Sequence, residues 1–332
     1  MAVLCADGRD DAPDPHDRPG HLDELSDDAG STGPAIEWRF TDAAGLPQAL
    51  EGADALLLWD FFSGALADAW EQARHLKWIH VAAAGVDTLL FDDLRDSDIV
   101  VTNARGTFDR PIAEFVAASV LAHAKRLHES HDLQQRREWR HRETATLVGK
   151  RALVVGTGAI GREIARLLRA LGLQVRGAGS RARPGDPDFG DVLASAQLAE
   201  HVGDVDYLVN AAPLTAATRG LIDASVFAAL PPRAHLVNIG RGPTVVEADL
   251  LAALEAGRLD GASLDVVATE PLPTQSPLWS APGVVISPHL SGDVVGWRDA
   301  LARQFVDNAR RWLAGEELVN VVDKKLGYVP AS

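Results

Sequence analysis

Three residues far apart in the chain are of the types that handle protons and carboxylates. Arg241 lies in Asn238-Ile239-Gly240-Arg241-Gly242, Glu270 lies in the run from Asp265 to Pro273, and His289 lies in Ser287-Pro288-His289-Leu290-Ser291-Gly292. Each segment follows directly on a short apolar run of strand length. Ligands in open α/β sheets bind beyond the carboxyl ends of the strands, so these are the positions where chemistry is expected. A guanidinium offers a planar fork to a carboxylate. An imidazole is the side chain best suited to move a proton near neutral pH, and a carboxylate can fix its tautomer and hold it protonated. Taken singly, each residue has an ordinary reading: Arg241 in a surface turn, Glu270 as a loop carboxylate, His289 as a satisfied structural histidine.

The element around which these segments are arranged is Lys150 to Leu171, KRALVVGTGAIGREIARLLRAL. Ala152–Val155 has the length and β-branched character of a strand. It breaks into Gly156-Thr157-Gly158-Ala159-Ile160-Gly161, after which Ile164, Leu167, Leu168 and Leu171 recur at helical spacing up to Gly172. Strand, glycine turn and helix with G-x-G-x-x-G at the joint form a dinucleotide site. The first glycine permits the turn, the second lets a pyrophosphate approach the backbone, and the third lets helix and strand pack closely.

Around this unit, strand-like and helix-like stretches alternate, which implies parallel α/β sheets. Strands are expected at Ala2–Ala6, Ile36–Phe40, Ala53–Asp60, Lys77–Val81 and Ile99–Thr102, and helices before Gly52 and at Gly64–His75. Asp109 and Pro111 start a long helix to about Ser130. The polar segment Gln134 to Thr146 around Trp139 reads as an arm. After the glycine turn, strands are expected at Gln174–Ala178, Asp206–Asn210, His235–Ile239, Gly261–Asp265 and Val284–Ile286. Helices fit Ala224–Leu230 and Val246–Gly257. A last helix, Val294 to Ala314, carries Val294, Trp297, Leu301, Phe305, Ala309 and Trp312 on one face. The glycine motif begins mid-chain, which points to two Rossmann-like parallel-sheet domains with one inserted in the other. Residues 1–104 and 292–332 form the outer substrate domain, and residues 105–291 form the dinucleotide-binding domain. Asp7 to Pro34 reads as a solvated, partly mobile loop with at most a short helix around His21–Asp28.

The composition, 46% hydrophobic and 24% charged over 332 residues, is that of a soluble globular protein. A net charge of −15 argues against nucleic acid and anionic membrane as partners. No apolar run has the length of a membrane span, and the N-terminus lacks the basic segment of a signal peptide. The single cysteine, Cys5, fits a reducing cytoplasm. His123, His128 and His131 lack the added ligands of a metal site, and a solvated helix face is expected, so no metal is expected.

Together these segments resemble the D-isomer-specific 2-hydroxyacid dehydrogenases, in the branch that includes glyoxylate and hydroxypyruvate reductases. The likeness spans nearly the whole chain: the glycine motif, Asn238–Gly242, Pro213-Leu214-Thr215 with Thr218, Asp265–Pro273, Ser287–Gly292, Ala84-Gly85-Val86-Asp87 and Ala113-Glu114. The resemblance implies an active site in the cleft between the domains. It makes His289 the acid/base, Glu270 its orienting partner, and Arg241 the group that binds substrate carboxylate and carbonyl. The backbone N–H groups of Ala84, Gly85 and Val86 would hold the carboxylate, and Asp265 would lie near the nicotinamide amide. Pro213, Thr218, Ile239 and Gly292 join the glycine turn as cofactor-binding positions. Trp59, Phe61 and Phe62 follow a strand end, and both pocket lining and core packing are open to them. Trp139 either reaches a neighbouring subunit's site or packs a dimer.

The expected chemistry is reduction of a small 2-oxo acid to a D-2-hydroxy acid. A dehydrogenase acting with NAD in the oxidative direction, and a nucleotide-sensing binding protein or corepressor on the same scaffold, are the rival readings. The nucleotide fingerprint expects Asp or Glu about 20 residues beyond the glycines. Here the second strand ends in Ser180-Arg181-Ala182-Arg183, with no acid before Asp186. Ser180, Arg181 and Arg183 therefore point to NADPH over NADH. The long helix and the Trp139 arm would give a homodimer its surface.

Overall fold

The computed structural model describes residues 1–6, 18–25, 36–61 and 63–330. Most of Asp7–Pro34, including the end of the helix expected at His21–Asp28, lies outside them, as does Phe62. The chain divides into two compact units, Met1–Thr107 with Val295–Ser332, and Phe108–Val294.

The first unit holds a parallel five-stranded sheet in the order β2-β1-β3-β4-β5, built from β1 (Ala2–Ala6), β2 (Arg39–Asp42), β3 (Ala55–Leu58), β4 (Trp78–Val81) and β5 (Val100–Asn103). β3 and β4 are buried at every residue, because a parallel strand covered on both faces has no solvent side. One face packs Leu46, Leu50, Leu56, Leu58, Ile79 and Leu94. Within the same unit, the helix Trp297–Ala314 buries Leu301, Phe305, Val306 and Ala309. The Phe305 ring stacks on Trp78 at 5.5 Å. Beside them His80 is fully enclosed, and burial pushes its pKa down to about 3, so it is a neutral donor–acceptor bonded to Thr102 Oγ1 at 2.8 Å.

The second unit holds an eight-stranded sheet in the order β13-β12-β11-β10-β6-β7-β9-β8. Its strands are β6 (Arg151–Val155), β7 (Gln174–Gly179), β8 (Arg183–Asp186), β9 (Gly190–Ala194), β10 (Tyr207–Asn210), β11 (His235–Asn238), β12 (Gly261–Leu264) and β13 (Val284–Ile286). All neighbours are parallel except β8 and β9. Strand order reverses at β6, flanked by β7 on one side and β10 on the other, which is the topological switch point of a doubly wound sheet. Its register is in step: Ala178, Val155, Asn210, Asn238, Leu264 and Ile286 are successive Cα partners across the sheet. The loops that follow therefore leave from one level edge.

Four expectations need correction. The helix from Asp109 ends at Ala124; Arg126 takes a left-handed φ of 51° and a second helix, Leu127–Gln135, follows. Gly64–His75 forms only a four-residue helix, Ala65–Asp68, and a short 3₁₀ turn at Trp70–Gln72. The last helix starts at Trp297, leaving Val294 outside it and 45% exposed. His123 is not on a solvated face: its side chain is 14% exposed, Nε2 meets Asp260 Oδ2 at 2.8 Å, and its ring stacks on His235 at 4.1 Å. Among the described residues no group of His, Cys, Asp or Glu is placed to hold a metal ion, and no helix is long and apolar enough to cross a membrane.

Candidate active site

The glycine turn leaves β6 at Gly156, whose φ of +100° is open to glycine and strained for other residues. A β-carbon there would lie 2.5 Å from Ala211 O, and one at Gly161 would lie 1.9 Å from Gly156 O. Both glycines are thus fixed by close backbone approach. At Gly158 a β-carbon would meet nothing within 4 Å. That open side lies at the start of the helix Ala159–Ala170, whose first turn carries no acid and whose first N–H groups have no carbonyl within the helix to bond. A cradle closed at the first and third glycines and open at the second fits a pyrophosphate, so the residues present fit a dinucleotide. Beyond β7, Ser180 and Arg181 are exposed, and Arg183 donates to Thr157 Oγ1 at 3.1 Å. The first acid after β7, Asp186, is buried against Arg162 and Arg183.

Across the switch point, β10 ends in Asn210, whose Nδ2 donates to Asn238 Oδ1 at 2.8 Å and to Thr244 Oγ1 at 2.6 Å. This buried pair ties the ends of β10 and β11 together. Thr218 Oγ1 donates to Pro213 O and accepts from Thr215 N, closing the loop that carries both predicted cofactor positions. Ile239 is buried, and its N–H donates to Asn210 O at 3.0 Å. Arg241 follows between two glycines. A β-carbon at Gly240 would lie 2.7 Å from Ala212 O, and one at Gly242 would lie 1.9 Å from the Val267 carbonyl, so the loops after β11 and β12 pack backbone to backbone. Arg241 Nη1 donates to Gly240 O at 2.8 Å.

Asp265, at the end of β12, is 1% exposed. Its Oδ1 accepts from Ser287 Oγ at 2.6 Å and Leu290 N at 3.0 Å, and its Oδ2 accepts from Ser291 N at 3.0 Å. These bonds fasten the loop after β13 on both sides of His289, whose own N–H donates to Asp265 O at 2.8 Å and whose φ is +53°. Gly292 closes the loop against Phe108, where a β-carbon would come within 2.7 Å of the ring.

His289 and Glu270 meet: Nδ1 to Oε2 is 2.7 Å, with side-chain exposures of 28% and 35%. Glu270 Oε1 also accepts from Val267 N at 3.0 Å. Burial works against the Glu270 carboxylate. The hydrogen bond and charge of His289, the Val267 N–H and the Arg241 charge outweigh it and hold the carboxyl below its ordinary range. The three residues singled out in the sequence are therefore within one electrostatic neighbourhood. A partner that the sequence reading passed over is Glu247, whose Oε1 accepts from Ala268 N at 2.6 Å and steadies the loop that carries Glu270.

In the first unit, the carbonyls of the loop after β4 are spent inside the fold. Ala83 O accepts from Ala104 N, Ala84 O from Asn103 Nδ2, and Val86 O from Leu89 N. The N–H groups of Ala84, Gly85 and Val86 donate to no backbone carbonyl among the described residues. Trp59 is 3% exposed and belongs to the packing of this unit. Phe61 meets Trp297 edge to face at 6.1 Å. Trp139, in the second unit, is fully exposed.

Residues 117–291, more than half of the chain, match the family model described as D-isomer specific 2-hydroxyacid dehydrogenase, NAD binding domain. A glyoxylate/hydroxypyruvate reductase A of Serratia proteamaculans is 32% identical over 313 residues, covering 89% of this chain and 96% of that protein. A D-isomer specific 2-hydroxyacid dehydrogenase family protein from Aeromonas salmonicida superposes with a TM-score of 0.80 at 30% identity, over 98% of this chain and 99% of that one. An NADPH-dependent glyoxylate/hydroxypyruvate reductase from Sinorhizobium meliloti, solved with NADP and sulfate, gives 0.79 at 29% identity, over 99% and 100%. The motif and register of the second sheet agree with a likeness that covers 89–99% of the chain, and the chain belongs to the D-isomer specific 2-hydroxyacid dehydrogenase family.

Proposed function

We propose that this protein is an NADPH-dependent reductase of small 2-oxo acids of the glyoxylate and hydroxypyruvate type. The observation that carries the reading is the 2.7 Å His289–Glu270 pair with the Arg241 charge beside it, at the ends of adjacent strands. Glu270 engages Nδ1, and Nε2 is the ring atom assigned the transferable proton. In its protonated form His289 donates that proton to the oxygen that becomes the hydroxyl, and Glu270, held ionised, stabilises the cation meanwhile. Arg241 holds the substrate carboxylate and carbonyl through its fork. Carboxylate recognition by the Ala84, Gly85 and Val86 amides is part of the same proposal. The bound nicotinamide supplies the hydride that adds to C2. The glycine turn, Pro213, Thr218, Ile239, Asp265 and Gly292 are assigned to hold the cofactor. The NADP-bound Sinorhizobium relative and the pairing of Asp186, the first acid after β7, with Arg162 and Arg183 favour NADPH.

The proposal extends to a homodimer formed around the helix from Asp109 and the exposed Trp139 arm, with a solution mass of about twice 35.4 kDa. The single buried thiol, Cys5, supports a reducing, cytoplasmic setting. The test of the central reading is NADPH oxidation with glyoxylate, hydroxypyruvate, pyruvate and phenylpyruvate. Turnover with at least one is expected. A folded protein that binds NADPH and turns over none of them is a nucleotide-sensing binding protein instead.

A further inference from the structure

The β8–β9 hairpin, which follows β7, is fastened to the glycine-turn helix by ion pairs. Asp186 has a side chain only 2% exposed. Arg162, the residue after the third glycine, clasps it with two bonds, Nη1 to Oδ1 at 2.9 Å and Nη2 to Oδ2 at 2.8 Å. Arg183 adds Nη2 to Oδ2 at 2.9 Å and Nε to Oδ2 at 3.3 Å. The N–H groups of Asp188 and Phe189 complete the shell. Arg162 above all, then Arg183, holds this carboxyl far below the usual carboxylate range despite its burial.

The consequence falls on Arg183. The same Nη2 that reaches Asp186 also donates to Thr157 Oγ1 in the glycine turn at 3.1 Å, so the guanidinium is pinned at two points. Its Nη1 makes no hydrogen bond among the described residues. That nitrogen lies over the end of β7, 3.6 Å from where a β-carbon of Gly179 would be, with Thr157 Oγ1 at 3.0 Å from the same point. In a dinucleotide fold the adenosine ribose lies at the end of this strand, beside the glycine turn. Arg181, by contrast, is exposed and held by nothing among the described residues.

Resting on the reading that NADPH is the cofactor, we propose that Asp186 is a positioning residue for cofactor selectivity, fixing Arg183 against Thr157 so that Nη1 faces a 2′-phosphate. An acid in this loop would ordinarily repel a phosphate of about two negative charges, but Asp186 is covered by two guanidinium groups. A fork held before binding loses less conformational freedom than a free arginine when it engages the phosphate.

The experiment is calorimetric binding of two probes that differ only in the phosphate, adenosine 2′,5′-bisphosphate and 5′-AMP. The unmodified protein should bind the bisphosphate at least about tenfold more tightly. Arg183→Gln and Arg183→Lys should each remove most of that ratio while leaving 5′-AMP affinity in place, since lysine keeps the charge and lacks the fork. Asp186→Asn should lower the ratio in the parent and have no further effect in the Arg183→Gln background. A full ratio in Arg183→Lys overturns the proposal, as does an Asp186→Asn effect that persists without Arg183. If Asp186→Asn does not fold, the Arg183→Lys result decides. Absence of any ratio in the unmodified protein defeats the NADPH reading itself, whereas a ratio indifferent to Arg183 defeats only this assignment.

Discussion

Replacing Asp265 by Asn should uncouple His289 from its loop while leaving the outline of the site intact. Asp265 uses both oxygens as acceptors, from Ser287 Oγ, Leu290 N and Ser291 N, and is 1% exposed. An amide of the same shape has one acceptor oxygen. Whichever way it turns, its NH₂ faces a donor, so at least one bond is lost and buried N–H groups are left opposed. An unsatisfied buried donor costs about 1–3 kcal/mol, and replacing an ionised acceptor by a neutral one weakens the bonds that remain. The total is about 2–4 kcal/mol, and it falls on the three residues that flank His289. A displacement of about 1 Å at a reacting group is worth about a hundredfold. We therefore expect kcat/KM for the 2-oxo acid to fall about a hundredfold. Affinity for adenosine 2′,5′-bisphosphate, which depends on the turn after β6 and on Arg183, should be kept. Steady-state kinetics and calorimetry on the same preparation test this. Unchanged kcat/KM in a folded Asp265→Asn protein would refute the idea that this carboxylate places His289.

Arg241→Ala should lower kcat/KM about ten- to a hundredfold, corresponding to loss of a charged pair of about 1.5–3 kcal/mol, and Arg241→Lys should be impaired too because it lacks the fork; normal kinetics in the Ala variant would remove the assignment. Glu270→Gln should lower kcat for reduction about ten- to a hundredfold, because the charged acceptor 2.7 Å from His289 Nδ1 becomes a neutral amide; an unchanged kcat in a folded variant would take Glu270 out of its role. Asp186, with its carboxyl depressed by Arg162, contributes stability that is complete above about pH 4, the unfolded value, and is lost as pH falls toward the depressed folded one; acid melts of Asp186→Asn should therefore show a flatter loss of Tm below about pH 4 than the parent.

What the sequence made legible follows from how a parallel sheet buries its strands. Tyr207-Leu208-Val209-Asn210 and His235-Leu236-Val237-Asn238 are apolar in the middle and polar at the ends, so their position and length could be read directly. Arg241, Glu270 and His289 were visible because each follows such a run. Their proximity was legible only through the family resemblance, since it depends on β11, β12 and β13 ending in register. The β8–β9 hairpin escaped for a different reason. Arg183-Pro184-Gly185-Asp186 has no alternation of apolar residues. It is held by ion pairs and by Phe189, whose ring fills the space over Gly177, where a β-carbon would lie 2.7 Å from it. His123 looked like a surface residue because its partner, Asp260, is 137 positions away. Local pattern reports burial against the sheet, and it is blind to pairing between distant polar side chains.

The placement of these groups along one sheet edge has a further consequence. The pinned Arg183 stands at the end of β7, and Glu270 stands in the loop after β12. Between those strands lie β6, β10 and β11, so the two sites are four interstrand spacings apart, about 19 Å. They share no hydrogen-bond partner: Arg183 is bound to Asp186 and Thr157, Glu270 to His289 and Val267. Sites at such a distance without common partners act additively, within about 0.5 kcal/mol. Selection of the cofactor and transfer of the proton should then be separable in one protein. In the double variant Arg183→Gln/Glu270→Gln, the ratio of kcat/KM for NADPH over NADH should match that of Arg183→Gln alone, and the loss of kcat should match that of Glu270→Gln alone. A departure from this product by more than about twofold, the equivalent of that 0.5 kcal/mol, would mean that the sheet edge moves as one body when the cofactor binds.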